Sequence, residues 1–198
     1  MFDGHNLFND SEATYGKSWG MKDYLDQHHS RLLVVGLECS HVGNERLEEF
    51  TPYTFDDDPW GHIEQRGLPL IDWMINELKP YIDSHYRTKA DKAHRAMAGL
   101  SMGGMETHTI TLNRPEVFGY YGLLSGGVYT PDEIKDIDGI KGIFVGCGSK
   151  EGPDQIRKAA EALQAAGYNA KGYVSEGTAH EFLTWRRCLK EMAPMLFK

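Results

Sequence analysis

Ser101 lies in Gly99-Leu100-Ser101-Met102-Gly103, followed by Gly104. A serine on a sharp turn between a strand and a helix projects its hydroxyl, and small residues on both flanks let such a turn close. The flanking sequence supplies that setting. His94 to Ala98 is a compact run that suits a buried strand, and Met105 to Leu112 suits a helix ended by Asn113 and Pro115. The plain alternative is a tight turn that only joins two elements.

A serine hydroxyl is a weak nucleophile near neutral pH. It needs a base to take its proton and an anion to hold that base in the right tautomer. Histidine suits the first role, since its unperturbed pKa is about 6.5. Of nine histidines, His180 is favoured: it follows the last expected strand, in a Gly-rich loop, just before the closing helix. His28, His29, His41, His62 and His85 fall in polar stretches and read as solvated, while His108 reads as packing on the helix behind the serine turn. For the acid, the loop after the Gly142 to Gly146 strand offers Glu151 and Asp154. Asp154 has another explanation as a first-turn carboxylate opposing the helix dipole, so Glu151 is preferred and Asp154 is the alternative. The order serine, acid, histidine is that of α/β-hydrolases.

A tetrahedral intermediate also needs amide donors. Met102 N–H, next after the serine, is one candidate, and a second should come from an early loop such as Gly4-His5. Tyr53, Trp60 and Trp185 are candidates for an aromatic substrate wall, although Trp185 also falls at core spacing. No His/Asp cluster falls at metal-ligand spacing, so no metal is assigned, and no cofactor is required.

The elements that must hold these residues alternate. Ser18 to Gln27 reads as a short amphipathic helix, and Arg31 to Glu38 as a strand buried on both faces. Cys39 to Gly67 lacks steady periodicity and is expected to be a long loop overhanging the site. Ile71, Met74, Ile75, Leu78 and Ile82 give a helix from about Leu70 to Tyr86, kinked or broken by Pro80. Tyr120 to Leu124, Gly142 to Gly146 and Ala170 to Ser175 are further strands. Pro153 starts a helix that Gly167 ends, and Phe182, Trp185, Leu189, Met192 and Leu196 line a closing helix. The candidate polar residues therefore fall just past strand C-terminal ends, where open parallel sheets bind ligands.

With 198 residues and a net charge of −8, the chain fits one domain, spanning 1–198, with a sizeable core. The acidity argues against nucleic acid and anionic membrane as partners. The three cysteines, Cys39, Cys147 and Cys188, are far apart and read as small buried residues. No signal peptide or transmembrane run is evident, so a cytoplasmic location is expected.

Taken together, Asp3-Gly4-His5-Asn6-Leu7-Phe8, Glu77-Leu78-Lys79-Pro80-Tyr81-Ile82, the Gly99 to Gly104 turn, Gly146-Cys147-Gly148-Ser149-Lys150-Glu151, and His180-Glu181-Phe182 with Trp185-Arg186 resemble the esterase family of α/β-hydrolases. That family takes in carbohydrate esterase family 1 (feruloyl and acetylxylan esterases), S-formylglutathione hydrolases and enterochelin esterases. The resemblance implies an α/β-hydrolase fold, a mostly parallel sheet with helices on both faces. It also implies Ser101 as nucleophile, His180 as base, the amides of His5 and Met102 as oxyanion donors, and Glu151 in the family's usual aspartate position. Ester hydrolysis through an acyl-enzyme is the implied reaction, on acyl or feruloyl esters of carbohydrates or related small esters. A thioesterase or acyltransferase, and a catalytically silent binding module, are the alternatives. Family members carry two or three strands before the Asp-Gly loop, where this chain has only Met1-Phe2. The sheet is therefore expected to lack its first strands, leaving an unpaired edge open to self-association.

Overall fold

The computed structural model describes residues 1–28 and 31–196. His29 lies outside them. Four strands form a parallel sheet in the order β3-β4-β5-β6: β3 (Ala96–Leu100), β4 (Tyr120–Leu124), β5 (Gly142–Gly148) and β6 (Ala170–Ser175). The chain passes between them through helices α5 (Met102–Asn113), α6 (Pro131–Ile134) and α7 (Pro153–Ala165), and α8 (Phe182–Met192) follows the last strand. This is the α/β architecture expected. Side chains alternate across the strands, because successive Cβ atoms point to opposite faces. Met97, Tyr121, Leu123, Ile143, Val145 and Cys147 join Ile110 of α5 and Ile156, Ala160 and Leu163 of α7 in one core. Ala98, Leu100, Leu124 and Phe144 meet Trp185, Cys188, Leu189 and Met192 of α8 in the other. Each Leu, Ile or Phe fully withdrawn from water here is worth about 1.5–3 kcal/mol.

The helix expected around residues 70–86 runs as α3 (Gly67–Trp73), a π turn (Met74–Leu78) and α4 (Lys79–His85). The Lys79 N–H reaches the carbonyl of Met74, five residues back. Pro80 has no N–H to give, and its ring crowds the carbonyl four residues before it. One wide turn ahead of it lets the helix continue rather than break. The amphipathic segment near the start is helical over α1 (Met21–Gln27).

Two expectations are corrected. Residues 39–67 are not one irregular loop: they contain α2 (Glu45–Glu49) and an antiparallel ribbon, β1 (Phe55–Asp57) with β2 (Gly61–Ile63). The run from Arg31 to Glu38 is not a doubly buried strand. Among the described residues its one bridge is an isolated parallel pairing of Leu37 with Phe2, outside the four-stranded sheet, and Leu33 is half exposed. β-branched composition cannot make a strand without a ladder partner, and among the described residues Met1 and Phe2 are what bridges this run to β3. Leu37 N–H donates to Met1 O at 2.7 Å and Phe2 N–H to Ala98 O at 3.4 Å. Beyond them lies a groove of about 600 Å³, lined by residues 31–35, Met97, Phe118 and Leu196 among others. Among the described residues, no helix is long and apolar enough to cross a membrane.

Candidate active site

Ser101, Ser125, Glu151 and His180 each follow the C-terminal end of one strand of the sheet, in the order β3, β4, β5, β6. Parallel strands bring these ends to a common edge, so residues up to 79 apart in the chain share one rim.

Ser101 has φ 52° and ψ −124°, a conformation that side-chain-bearing residues rarely adopt. It is held by its own N–H donating to Leu124 O at 2.8 Å and by its carbonyl accepting from Gly104 and Met105. The turn closes because its neighbours lack side chains: a Cβ on Gly99 would lie 2.0 Å from the Gly103 carbonyl oxygen. Likewise, a Cβ on Gly126 would lie 2.3 Å from Ser101 O, so the loop after β4 packs directly on the serine turn. Met102 opens α5, where a first-turn N–H has no partner within the helix.

Glu151 is fixed by three donors. Its Oε2 accepts from Gly148 N–H at 2.7 Å and from the Ser125 hydroxyl at 3.0 Å, and its Oε1 lies 2.6 Å from His180 Nδ1. The Glu151 side chain is 13% exposed and the imidazole 48% exposed. Asp154, by contrast, sits in the first turn of α7, is 82% exposed and pairs with Arg157 at 3.1 Å. The loop bearing His180 is stitched to the loop bearing Glu151. Lys150 N–H donates to Thr178 O at 3.1 Å and Gly177 N–H to Ser149 Oγ at 2.9 Å, while buried Thr184 donates to Ala179 O at 2.5 Å.

Trp185 stands edge-on to the His180 ring at 5.2 Å and donates its Nε1–H to Ser125 Oγ at 3.2 Å. Tyr15 and Trp19 extend this aromatic group, each 6.3 Å from Trp185. The other two wall candidates make contacts of their own. Tyr53 packs against Phe55 next to the ribbon, and Trp60 is half exposed, its carbonyl taken by Asn44. Ser125, Tyr15 and Trp19 were not singled out from the sequence. The positive φ of Ser125 (50°) carries no sequence signal, and Trp19 falls in the run from Ser18 to Gln27 that read only as an amphipathic helix.

His5 lies in a short turn, Gly4–Asn6, set beside the end of β3 by Phe2. The turn's backbone bonds use the N–H groups of Gly4, Asn6 and Leu7, not that of His5. Asp3 before it is buried in the left-handed region at φ 54°, and Arg46 clamps its carboxylate with bonds of 2.6 and 2.8 Å. Burial draws the His5 imidazole below the usual histidine range, against the opposing pull of Asp3. His108 stacks on Tyr129 at 4.9 Å, and burial lowers its pKa too. Cys39, Cys147 and Cys188 are free and buried.

Comparison with known proteins shows the family. The family model described as "Putative esterase" matches residues 69–195. An endo-1,4-beta-xylanase/feruloyl esterase of Xylanibacter ruminicola is 69% identical over 125 residues, which cover 63% of this chain and 17% of that one. This chain therefore spans less than a fifth of that relative's length. The BES protein from Bacillus cereus superposes with a TM-score of 0.65 at 19% identity, covering 100% of this chain and 81% of that one. A ferulic acid esterase superposes with a TM-score of 0.59 at 22% identity, covering 89% and 76%. With its strand-edge serine turn and a family match over most of its length, the chain belongs to the esterase family of α/β-hydrolases.

Proposed function

We propose that the chain hydrolyses carboxylic esters through an acyl-enzyme on Ser101, with His180 as general base and Glu151 as the residue that orients it. The observation that carries this reading is the 2.6 Å contact from Glu151 Oε1 to His180 Nδ1, with Oε2 tied down by Gly148 and Ser125. A carboxylate held in that way keeps the proton on Nδ1, so Nε2 is free to accept the serine proton. Attack on the ester carbonyl then forms the Ser101 C–O bond, and the N–H groups of His5 and Met102 receive the developing oxyanion. The imidazolium returns its proton to the leaving alcohol, the C–O bond to that alcohol breaks, and water activated by the same histidine releases the acid. Neither metal nor cofactor enters these steps.

The acyl group is of the feruloyl kind, carried on plant polysaccharide. The relative named as a xylanase/feruloyl esterase, 69% identical over the shared segment, supports this. The exposed Tyr15 ring, backed by the buried Trp185 that stands against His180, suits a flat phenolic acyl chain. The test is turnover of p-nitrophenyl acetate and methyl ferulate by wild type and Ser101→Ala. Loss of both activities, by on the order of 10³-fold or more, is expected. Equal rates would remove the enzyme reading and leave a silent binding module. Turnover confined to thioesters, or faster with an added alcohol acceptor than with water, would favour a thioesterase or an acyltransferase.

A further inference from the structure

We infer that Ser125 is a positioning residue, a role that rests on the reaction proposed above: its hydroxyl, directed by the Trp185 indole, fixes the plane of the Glu151 carboxylate and so holds His180 for Ser101. The direction of each hydrogen bond follows from the groups themselves. An indole N–H can only donate, and an ionised carboxylate can only accept. Trp185 Nε1–H therefore fills a lone pair of Ser125 Oγ at 3.2 Å, and the one hydroxyl proton goes to Glu151 Oε2 at 3.0 Å. Trp185 is buried, so its N–H needs a protein acceptor, and Ser125 supplies it.

A glutamate has one more side-chain torsion than an aspartate, and its last one, which turns the carboxylate plane, is soft. Gly148 N–H reaches Oε2 at 2.7 Å and pins that one atom. With this donor alone the plane can swing about Oε2 and carry Oε1 away from His180 Nδ1. A second donor, from the end of another strand, stops the swing and leaves Oε1 2.6 Å from Nδ1. The imidazole is 48% exposed, so packing does not hold it and the carboxylate must. Ser125 is itself set by the sheet. It follows β4, between the strand ends that carry Ser101 and Glu151. Its N–H donates to Gly146 O of β5 at 2.7 Å, and Leu124 O just before it accepts from Ser101 N–H at 2.8 Å. Its φ of 50° is one that glycine adopts freely and serine rarely does. A strained side-chain-bearing residue where glycine would sit at ease points to a use for the side chain.

The test is steady-state hydrolysis of p-nitrophenyl acetate by Ser125→Ala and Ser125→Gly, each alone and combined with Glu151→Gln, with circular dichroism and urea unfolding to follow the fold. Loss of a hydrogen bond to a charged group should lower kcat about 10- to 100-fold in both single variants, with KM within about threefold of wild type. Glycine takes up the positive φ without strain and alanine does not, so equal losses in the two assign the effect to the hydroxyl. In the Glu151→Gln background the same changes should cost less than about threefold more, because the group they act through is already disabled. A kcat within about threefold of wild type in Ser125→Gly, a loss carried by KM, or full additivity with Glu151→Gln would each overturn the role and leave the Ser101 reaction standing. Equal rates in wild type and Ser101→Ala would instead overturn the reaction, and this role with it.

Discussion

Glu151→Gln is the most demanding test of the proposed reaction. The carboxylate takes three donors at once, two on Oε2 and one on Oε1. A glutamine has one acceptor oxygen and one NH₂ in the same place. If its oxygen stays with Gly148 N–H and Ser125 Oγ–H, its NH₂ faces His180 Nδ1, and the imidazole must move its proton to Nε2. That tautomer cannot accept a proton from Ser101. If the amide flips instead, the NH₂ opposes two donors that are largely buried, costing about 1–3 kcal/mol. The first arrangement wins, and it removes the base. Fixing the wrong tautomer in this way lowers kcat by about 10³- to 10⁴-fold, or roughly 4–5.5 kcal/mol of transition-state stabilisation. Because the His180 ring is 48% exposed and water can stand in for part of the lost partner, the lower end is expected. KM should change less than about threefold, since the role proposed for Glu151 is to orient the histidine and not to bind substrate. The assay is steady-state hydrolysis of p-nitrophenyl acetate, with circular dichroism to show that the variant is folded. Asp154→Asn should change kcat less than about threefold, because its partner is an exposed arginine. More than a tenth of wild-type kcat in folded Glu151→Gln, or a larger loss in Asp154→Asn, would refute the reasoning.

Three further outcomes are expected. Gly99→Ala places a methyl 2.0 Å from the Gly103 carbonyl, so the variant should lose esterase activity below 1% (about 10²-fold); retained activity would show that the turn can open. Arg46→Met strands the buried Asp3 carboxylate and should lower stability by about 3–5 kcal/mol in urea unfolding, whereas a change under about 1 kcal/mol would mean that Asp3 reaches water. Glu106 is fully buried on α5 without a partner among the described residues, and desolvation raises its pKa from 4.5 to about 7. Between those values the unfolded chain releases this proton while the folded chain keeps it. Its contribution to stability is therefore complete below pH 4.5, falls as pH rises and levels off above about 7, a total of about 3 kcal/mol. Glu106→Gln should remove that slope between pH 5 and 7 in urea melts; an unchanged slope would place the titration elsewhere.

The sequence was informative where one local rule decided the outcome. The serine turn, the strands from Tyr120 to Leu124 and Ala170 to Ser175, and the helix from Pro153 to Ala165 were legible, because glycine, proline and short apolar runs act within a few residues. That Glu151 and His180 follow strand ends was legible from chain order; their 2.6 Å contact was not. The run from Arg31 to Glu38 misled because its β-branched composition is a local preference, whereas a strand also needs a neighbour's amides and carbonyls. Tyr53 and Trp60 were candidates for the site by composition alone, and the ribbon around residues 55–63 that gives them their surroundings was not legible in the sequence.

What Ser101, Glu151 and His180 are able to do was set by residue type, since nucleophilicity, basicity and charge belong to side-chain chemistry and need no fold to be named. Which of them meet, and at what distance, was decided by four parallel strands ending on one edge. Ser125 gained its place between Glu151 and Trp185 only there. Spacing along the chain governs contacts across a turn or two; contacts between distant residues depend on burial and ladder pairing summed over the whole sheet, which no single segment contains.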